Sequence, residues 1–223
     1  MEKLIFKNGC EHSIVTFSDN EDLAAKTIEY LKLPKIALSG GSTYKNLFPV
    51  WAKFKKTQSF GHFFPVDERL VPFDSGDSNW GTAYRNFLLK IGREEDINNF
   101  PVSVSQYSKV LEKSFKGYPL FDAMFLGIGD DGHTASLFPG KINDIESDAV
   151  VLKTFSPKPP IPRITLGKKV IASANIVITI ISGSKKKPIL KKVLACDEGL
   201  PIVNVLSACV NPGIIFIEKQ LLS

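Results

Sequence analysis

Four short segments gather the residue types from which a reactive site can be built: Ser39-Gly40-Gly41-Ser42-Thr43, Asp67-Glu68-Arg69, Gly127 through His133, and Ser182-Gly183-Ser184-Lys185. The first suits an anion. Its two glycines let the backbone approach a ligand, the N–H groups of a helix start point outward with the positive end of the dipole, and Ser42 and Thr43 add hydroxyls. The same residues also suit a plain tight turn in which Ser42 or Thr43 caps a helix beginning near Tyr44. In the second segment, Arg69 offers a planar fork to a phosphate or steadies charge on a reacting oxygen, unless it forms only a surface ion pair. Adjacent Asp67 and Glu68 point to opposite faces of a strand, which is not the geometry of a paired-acid glycosidase. Lys185 is placed to meet a phosphate at the start of the next helix, a position that Lys186 or Lys187 could also take.

Gly127-Ile128-Gly129-Asp130-Asp131-Gly132 spells GxGxxG after an apolar run, the usual signal of a dinucleotide site. Asp130 and Asp131 would set two negative charges against a pyrophosphate, and Pro139-Gly140 closes the segment before a long helix can form, so a sharp turn is expected instead. That turn presents His133 for general acid/base work, histidine being the side-chain type whose unperturbed titration falls nearest neutral pH. Asp131, two residues earlier, either orients His133 or caps a short helix after it. His12 and His62 lack such a setting and read as structural or merely exposed.

Each of the four segments directly follows a run of strand length. Ile36–Ser39, Phe60–Val66, Ala123–Gly127 and Ile176–Ser182 are rich in β-branched and aromatic residues. Between them, Tyr44, Leu47, Phe48, Trp51 and Phe54 form one apolar stripe at helical spacing, Tyr84, Phe87, Leu88 and Ile91 a second, and Val104–Phe115 a weaker third. Strands alternating with helices predict an α/β fold: a three-layer, Rossmann-like open sheet, mainly parallel, with helices on both faces. In such a sheet the loops at the carboxyl ends of the strands meet at one edge, so the four polar segments should form one site. Pro157, Pro159, Pro160 and Pro162 make Ser156–Pro162 an extended connection within one domain spanning residues 1–223.

The 223 residues, 43% hydrophobic and 23% charged, exclude disorder and fibrous repeats. The longest apolar stretch, Ile176–Ile181, is too short to cross a bilayer, and Met1–Cys10 lacks a secretory pattern, so a cytoplasmic location is expected. Cys10, Cys196 and Cys209 have no metal-ligand spacing and read as structural thiols. The net charge of +5 does not itself choose a partner. The densest basic run, Lys185–Lys187 with Lys191 and Lys192, carries no interleaved aromatics, which argues against nucleic acid.

In order and spacing, Leu38–Thr43, Val66–Arg69, Asp77-Ser78-Asn79 with Gly81, and Gly129–Gly140 resemble the glucosamine-6-phosphate isomerase/6-phosphogluconolactonase family. The most specific block is Asp131-Gly132-His133-Thr134-Ala135-Ser136-Leu137-Phe138-Pro139-Gly140; Ser156–Pro160 with Arg163-Ile164-Thr165 adds to it. The deaminase branch would show Asn-Met-Asp-Glu-Tyr in place of Val66–Leu70 and Ile-Ala-Phe-Asn-Glu-Pro in place of Thr134–Pro139, whereas this chain carries the lactonase versions. The resemblance implies hydrolysis of 6-phospho-D-glucono-1,5-lactone to 6-phospho-D-gluconate in the oxidative pentose phosphate pathway. It implies His133, Asp131 and Arg69 as catalytic residues, and Gly40, Gly41, Ser42, Thr43, Asp67, Lys185 and Arg163 as substrate-binding ones, with no cofactor or metal. The expected partner is the sugar-phosphate lactone alone, with neither nucleic acid nor membrane, and the chain a monomer or weak homodimer. Two other functions stand beside this one: a deaminase-type isomerase, and a sugar-phosphate-binding regulator without catalysis, against which the Asp131-Gly132-His133 block speaks.

Overall fold

The structure, a computed structural model, describes residues 2–56 and 59–223. Its strands are β1 (Glu2–Ile5), β2 (Glu11–Phe17), β3 (Lys35–Leu38), β4 (His62–Pro65), β5 (Asp67–Arg69), β6 (Ala123–Gly127), β7 (Val151–Phe155), β8 (Pro162–Leu166), β9 (Ile176–Ile181) and β10 (Gly213–Glu218). Seven form one sheet in the order β1-β2-β10-β9-β6-β3-β4, parallel throughout except for the antiparallel edge pair β1–β2. The remaining three make a small antiparallel sheet, β5-β8-β7.

The helices are α1 (Asn20–Thr27), α2 (Gly41–Trp51), α3 (Asn79–Asn86), α4 (Val104–Phe115), α5 (Ile142–Ile145), α6 (Lys168–Ala172), α7 (Lys187–Leu194) and α8 (Pro201–Ser207). Central strands are apolar on both faces because helices cover both. Ala123 and Phe125 of β6 join the aromatic core built by α1, α2 and α3, while Met124 and Leu126 face the aliphatic core built by α4, α6, α7 and α8. This is the expected three-layer, mainly parallel architecture. No helix among the described residues is long and apolar enough to cross a membrane.

The structure departs from expectation where the chain changes sheets. Phe60–Val66 yields a strand only over His62–Pro65, and Val66 then bridges: its N–H bonds Leu38 O (3.0 Å) and its carbonyl accepts from Leu166 N (2.9 Å). Since Val66 N faces β3, alternation turns the Pro65 nitrogen away from it, to the side where, among the described residues, no further strand pairs with β4 and the Phe63 N–H bonds Asp96 Oδ2 (3.0 Å) instead. The second apolar stripe is likewise not one helix. Phe87 (φ −136°, ψ −66°) ends α3 and a 3₁₀ turn, Leu88–Ile91, follows. The buried Phe87 ring stacks on Phe48 at 6.0 Å and meets Trp51 and Phe63, so aromatic packing outranks helix continuity there.

Candidate active site

At the carboxyl edge of the main sheet the loops after β3 and β6, the strands β5 and β8, and the Ser156–Lys158 turn enclose a cleft of about 520 Å³. His133, Asp131, Arg69, Gly40, Gly41, Ser42, Thr43, Asp67 and Arg163 all line it. Lys185 does not. It is exposed, and Lys186, one residue further along the 3₁₀ turn Ser184–Lys186, lines the wall instead, its Nζ on Asp130 Oδ1 at 2.5 Å.

The turn after β6 is shaped by its own residues. Gly129 N–H bonds His133 O (2.8 Å), Gly132 N–H bonds Gly129 O (3.1 Å), and the Thr134 hydroxyl reaches back to Gly127 O (2.9 Å). His133 and Asp131 fold so closely over Gly129 that a Cβ there would lie 2.0 Å from His133 Nδ1 and 2.6 Å from Asp131 Oδ1. Glycine at this place therefore serves a side-chain pair, and no long helix follows to bind a pyrophosphate; the next one, α5, is a single turn. Asp131 Oδ1 accepts from both the His133 N–H (3.1 Å) and His133 Nδ1 (2.6 Å), and Thr134–Gly140 forms turns, not a helix for Asp131 to cap. The His133 hydrogen bond brings the Asp131 carboxyl down to about 2, so at neutral pH a carboxylate faces Nδ1. A carboxylate accepts only, which puts the imidazole proton on Nδ1 and the basic lone pair on Nε2.

The opposite wall is cationic. Arg69 and Arg163 are register partners across β5 and β8, and both reach the cleft. Burial, and then the Arg69 charge, lower the Arg163 pKa; its Nε donates to Pro160 O at 2.7 Å. Like charges opposite one another on paired strands repel, so an anion between them is favoured. Arg69 Nη1 donates to Asp77 O (2.6 Å), whereas Arg69 Nε and Ser39 Oγ are buried without a hydrogen-bond partner among the described residues. Asp67 is held by the Ser136 hydroxyl at 2.7 Å, which ties β5 to the His133 loop.

Helix α2 begins at Gly41 with Gly40 as its cap and no side-chain cap bond, so neither Ser42 nor Thr43 caps it. Thr43 instead pairs its hydroxyl with that of Ser182 at 3.1 Å, and the outward N–H groups of the first turn remain directed to the cleft edge. Asn79, Lys158 and Phe138 also line the cleft. All three stand in the segments that carry the family resemblance, and Asn79 has a local signal besides, since Ser78 before it is a recognisable helix cap whose hydroxyl accepts from Gly81 N–H.

Other chemistry-bearing residues stand elsewhere. His62, Glu95 and Asp96 lie close enough to hold a metal, but His62 opens β4 at the end away from the cleft, and the Arg93 guanidinium bonds all three. Cys10 Sγ bonds Leu206 O and Cys209 O, each at 3.4 Å, and burial pushes the Cys209 thiol up to about 12, as befits structural thiols.

A doubly covered, mainly parallel sheet whose carboxyl edge joins a His–Asp pair, a glycine-opened helix start and facing arginines defines an α/β protein with a polar cleft at that edge. The family model for glucosamine-6-phosphate isomerases/6-phosphogluconolactonase matches residues 18–211. A probable chloroplastic 6-phosphogluconolactonase of Oryza sativa is 33% identical over 222 residues, covering 82% of this chain and 66% of that protein. The 6-phosphogluconolactonase of Homo sapiens is 38% identical over 146 residues, covering 61% and 57%. The chain thus spans less than two thirds of the length of either curated relative. The solved 6-phosphogluconolactonase of Trypanosoma cruzi superposes with a TM-score of 0.78 at 26% identity, covering 99% of this chain and 98% of that one. The chain belongs to the glucosamine-6-phosphate isomerase/6-phosphogluconolactonase family.

Proposed function

We propose that this chain hydrolyses 6-phospho-D-glucono-1,5-lactone to 6-phospho-D-gluconate. The observation that carries the reading is His133, held by Asp131 through Nδ1, facing a cleft whose other wall is cationic. The phosphate docks among the α2 N–H groups, Arg163 and Lys186, which fixes the lactone carbonyl beside Nε2 and leaves Arg69 for the reacting oxygen. His133 Nε2 takes a proton from water as its oxygen bonds C1, and a guanidinium steadies the oxyanion. Collapse breaks the bond from C1 to the ring oxygen, and His133 returns the proton to that oxygen, leaving the acid, which ionises in solution. Asp131 stays ionised throughout and balances the imidazolium.

The test follows the loss of freshly generated lactone at mildly acidic pH, where spontaneous hydrolysis is slow, comparing the native chain with His133→Asn. Removal of a general acid/base should cost about 10²–10⁴ in rate while the melting curve stays in place. A folded His133→Asn protein with normal turnover would sink the assignment. A native chain that spares the lactone but releases ammonia from glucosamine 6-phosphate would move it to the deaminase branch.

A further inference from the structure

Glu68 lies on the face of β5 opposite Asp67, fully buried, and its carboxylate accepts four hydrogen bonds. Oε1 takes those of the Arg69 N–H (2.6 Å) and the Asn79 N–H (2.8 Å). Oε2 takes those of the Ser78 hydroxyl (2.9 Å) and the Trp80 N–H (2.7 Å). Four donors fill the acceptor sites of an ionised carboxylate, and the charge sits at the start of α3, where unpaired N–H groups and the dipole favour it. The strand that carries Asp67 and Arg69 into the cleft is thereby bound to the first turn of α3.

The first residue of that turn is Asn79. Its Nδ2 donates to Asp67 O at 3.3 Å, a second link between the two elements, and its side chain reaches the cleft wall while only 7% of the residue is exposed. There it bears on Gly40. A Cβ added to Gly40 would fall 2.1 Å from Asn79 Oδ1 and 2.2 Å from its Cγ. Gly40 caps α2 without a side-chain bond of its own, so its place is set by what it leans on.

We propose that Asn79, clamped by Glu68, is the positioning residue of the anion cradle: its amide is the stop against which Gly40 rests, and it fixes where the N–H groups of Gly41–Thr43 point relative to Arg69. This deepens the reading above and rests on the cradle in it, but not on the lactone chemistry. A wall that sets the cradle acts on binding, whereas the His133 turn is a separate piece of chain and acts on the chemical step.

The test uses inorganic phosphate as the binding probe, by titration calorimetry, alongside lactone KM and kcat. Asn79→Ala is expected to weaken phosphate binding about tenfold and raise KM by a similar factor, with kcat within about twofold. Gly40→Ala alone should be worse, because its Cβ meets the Asn79 amide. In an Asn79→Gly background, which removes both the amide and the Cβ that would lie 2.7 Å from the added methyl, the further cost of Gly40→Ala should shrink by about threefold or more, as contacting residues couple. Unchanged phosphate affinity and KM in Asn79→Ala, even with a lowered Tm, would show a merely structural role. Equal costs of Gly40→Ala in both backgrounds would likewise overturn the proposal. If Gly40→Ala does not fold, Asn79→Ala and Asn79→Ser decide, and their phosphate affinities must fall. A native chain that binds no phosphate removes the cradle and the inference with it; one that binds phosphate but spares the lactone sinks only the proposed reaction, and the phosphate arm still decides.

Discussion

His133 and His12 each hold a fixed partner, yet they are built for opposite ends. His12, fully buried, spends both ring nitrogens on backbone: Nε2 donates to Leu206 O at 2.9 Å, and Nδ1 accepts from Gly213 N–H at 3.0 Å. That pattern fits only the neutral ring, and burial lowers its pKa. His133, with about a third of its side chain exposed at the cleft, spends Nδ1 on a carboxylate, and among the described residues its Nε2 makes no hydrogen bond. What separates His12 from His133, the acid/base residue of the proposed reaction, is thus the count of committed nitrogens and the charge of the partner, not the residue type.

The comparison is broken most sharply at Asp131. In Asp131→Asn an amide N–H can face Nδ1, which favours the tautomer with its proton on Nε2 and removes the base. A kcat loss of about 10²-fold or more is expected in the lactone assay, with Tm little changed. Full activity in this variant would mean that Asp131 does not orient the ring.

On the other side, His12→Ala should leave kcat alone and cost about 1–3 kcal/mol in urea unfolding, from the stranded Gly213 N–H. The pH dependence has a definite sign. The unfolded ring gains its proton as pH falls below about 6.5, and the buried ring gains it only at lower pH, so in that window the unfolded chain binds more protons. The contribution of His12 is complete above pH 6.5 and is lost as pH falls through the lowered folded value. Removing His12 should flatten that part of the stability curve.

The smallest effect sharpens the cleft side alone. Lys186→Ala should raise the lactone KM by about three- to tenfold, and Lys185→Ala by less than about twofold, because only Lys186 lines the wall. The reverse order in measured KM would return the phosphate contact to Lys185.

Much of this was legible in the chain. The helix Val104–Phe115 and the strand Ala123–Gly127 follow from local pattern, and the turn from Gly127 to His133 follows from its glycines. The three-residue β5 and the short α6 were not, since neither is long enough to show a period. The α3 stripe misled because Phe87 answers to Phe48, Trp51 and Phe63, residues far from it in the chain.

The sequence by itself determined that strands alternate with helices, that polar segments close the strands, and that Asp131 and His133 share one turn, because all of these depend on residues within a few positions of each other. Tertiary structure alone decided that Arg163 stands across from Arg69, that Lys186 and not Lys185 meets the cleft, and that Asn79 bears on Gly40. Each of those contacts depends on the register of strands or the seating of helices from distant parts of the chain, and a shift of one residue there would turn a different side chain to the cleft.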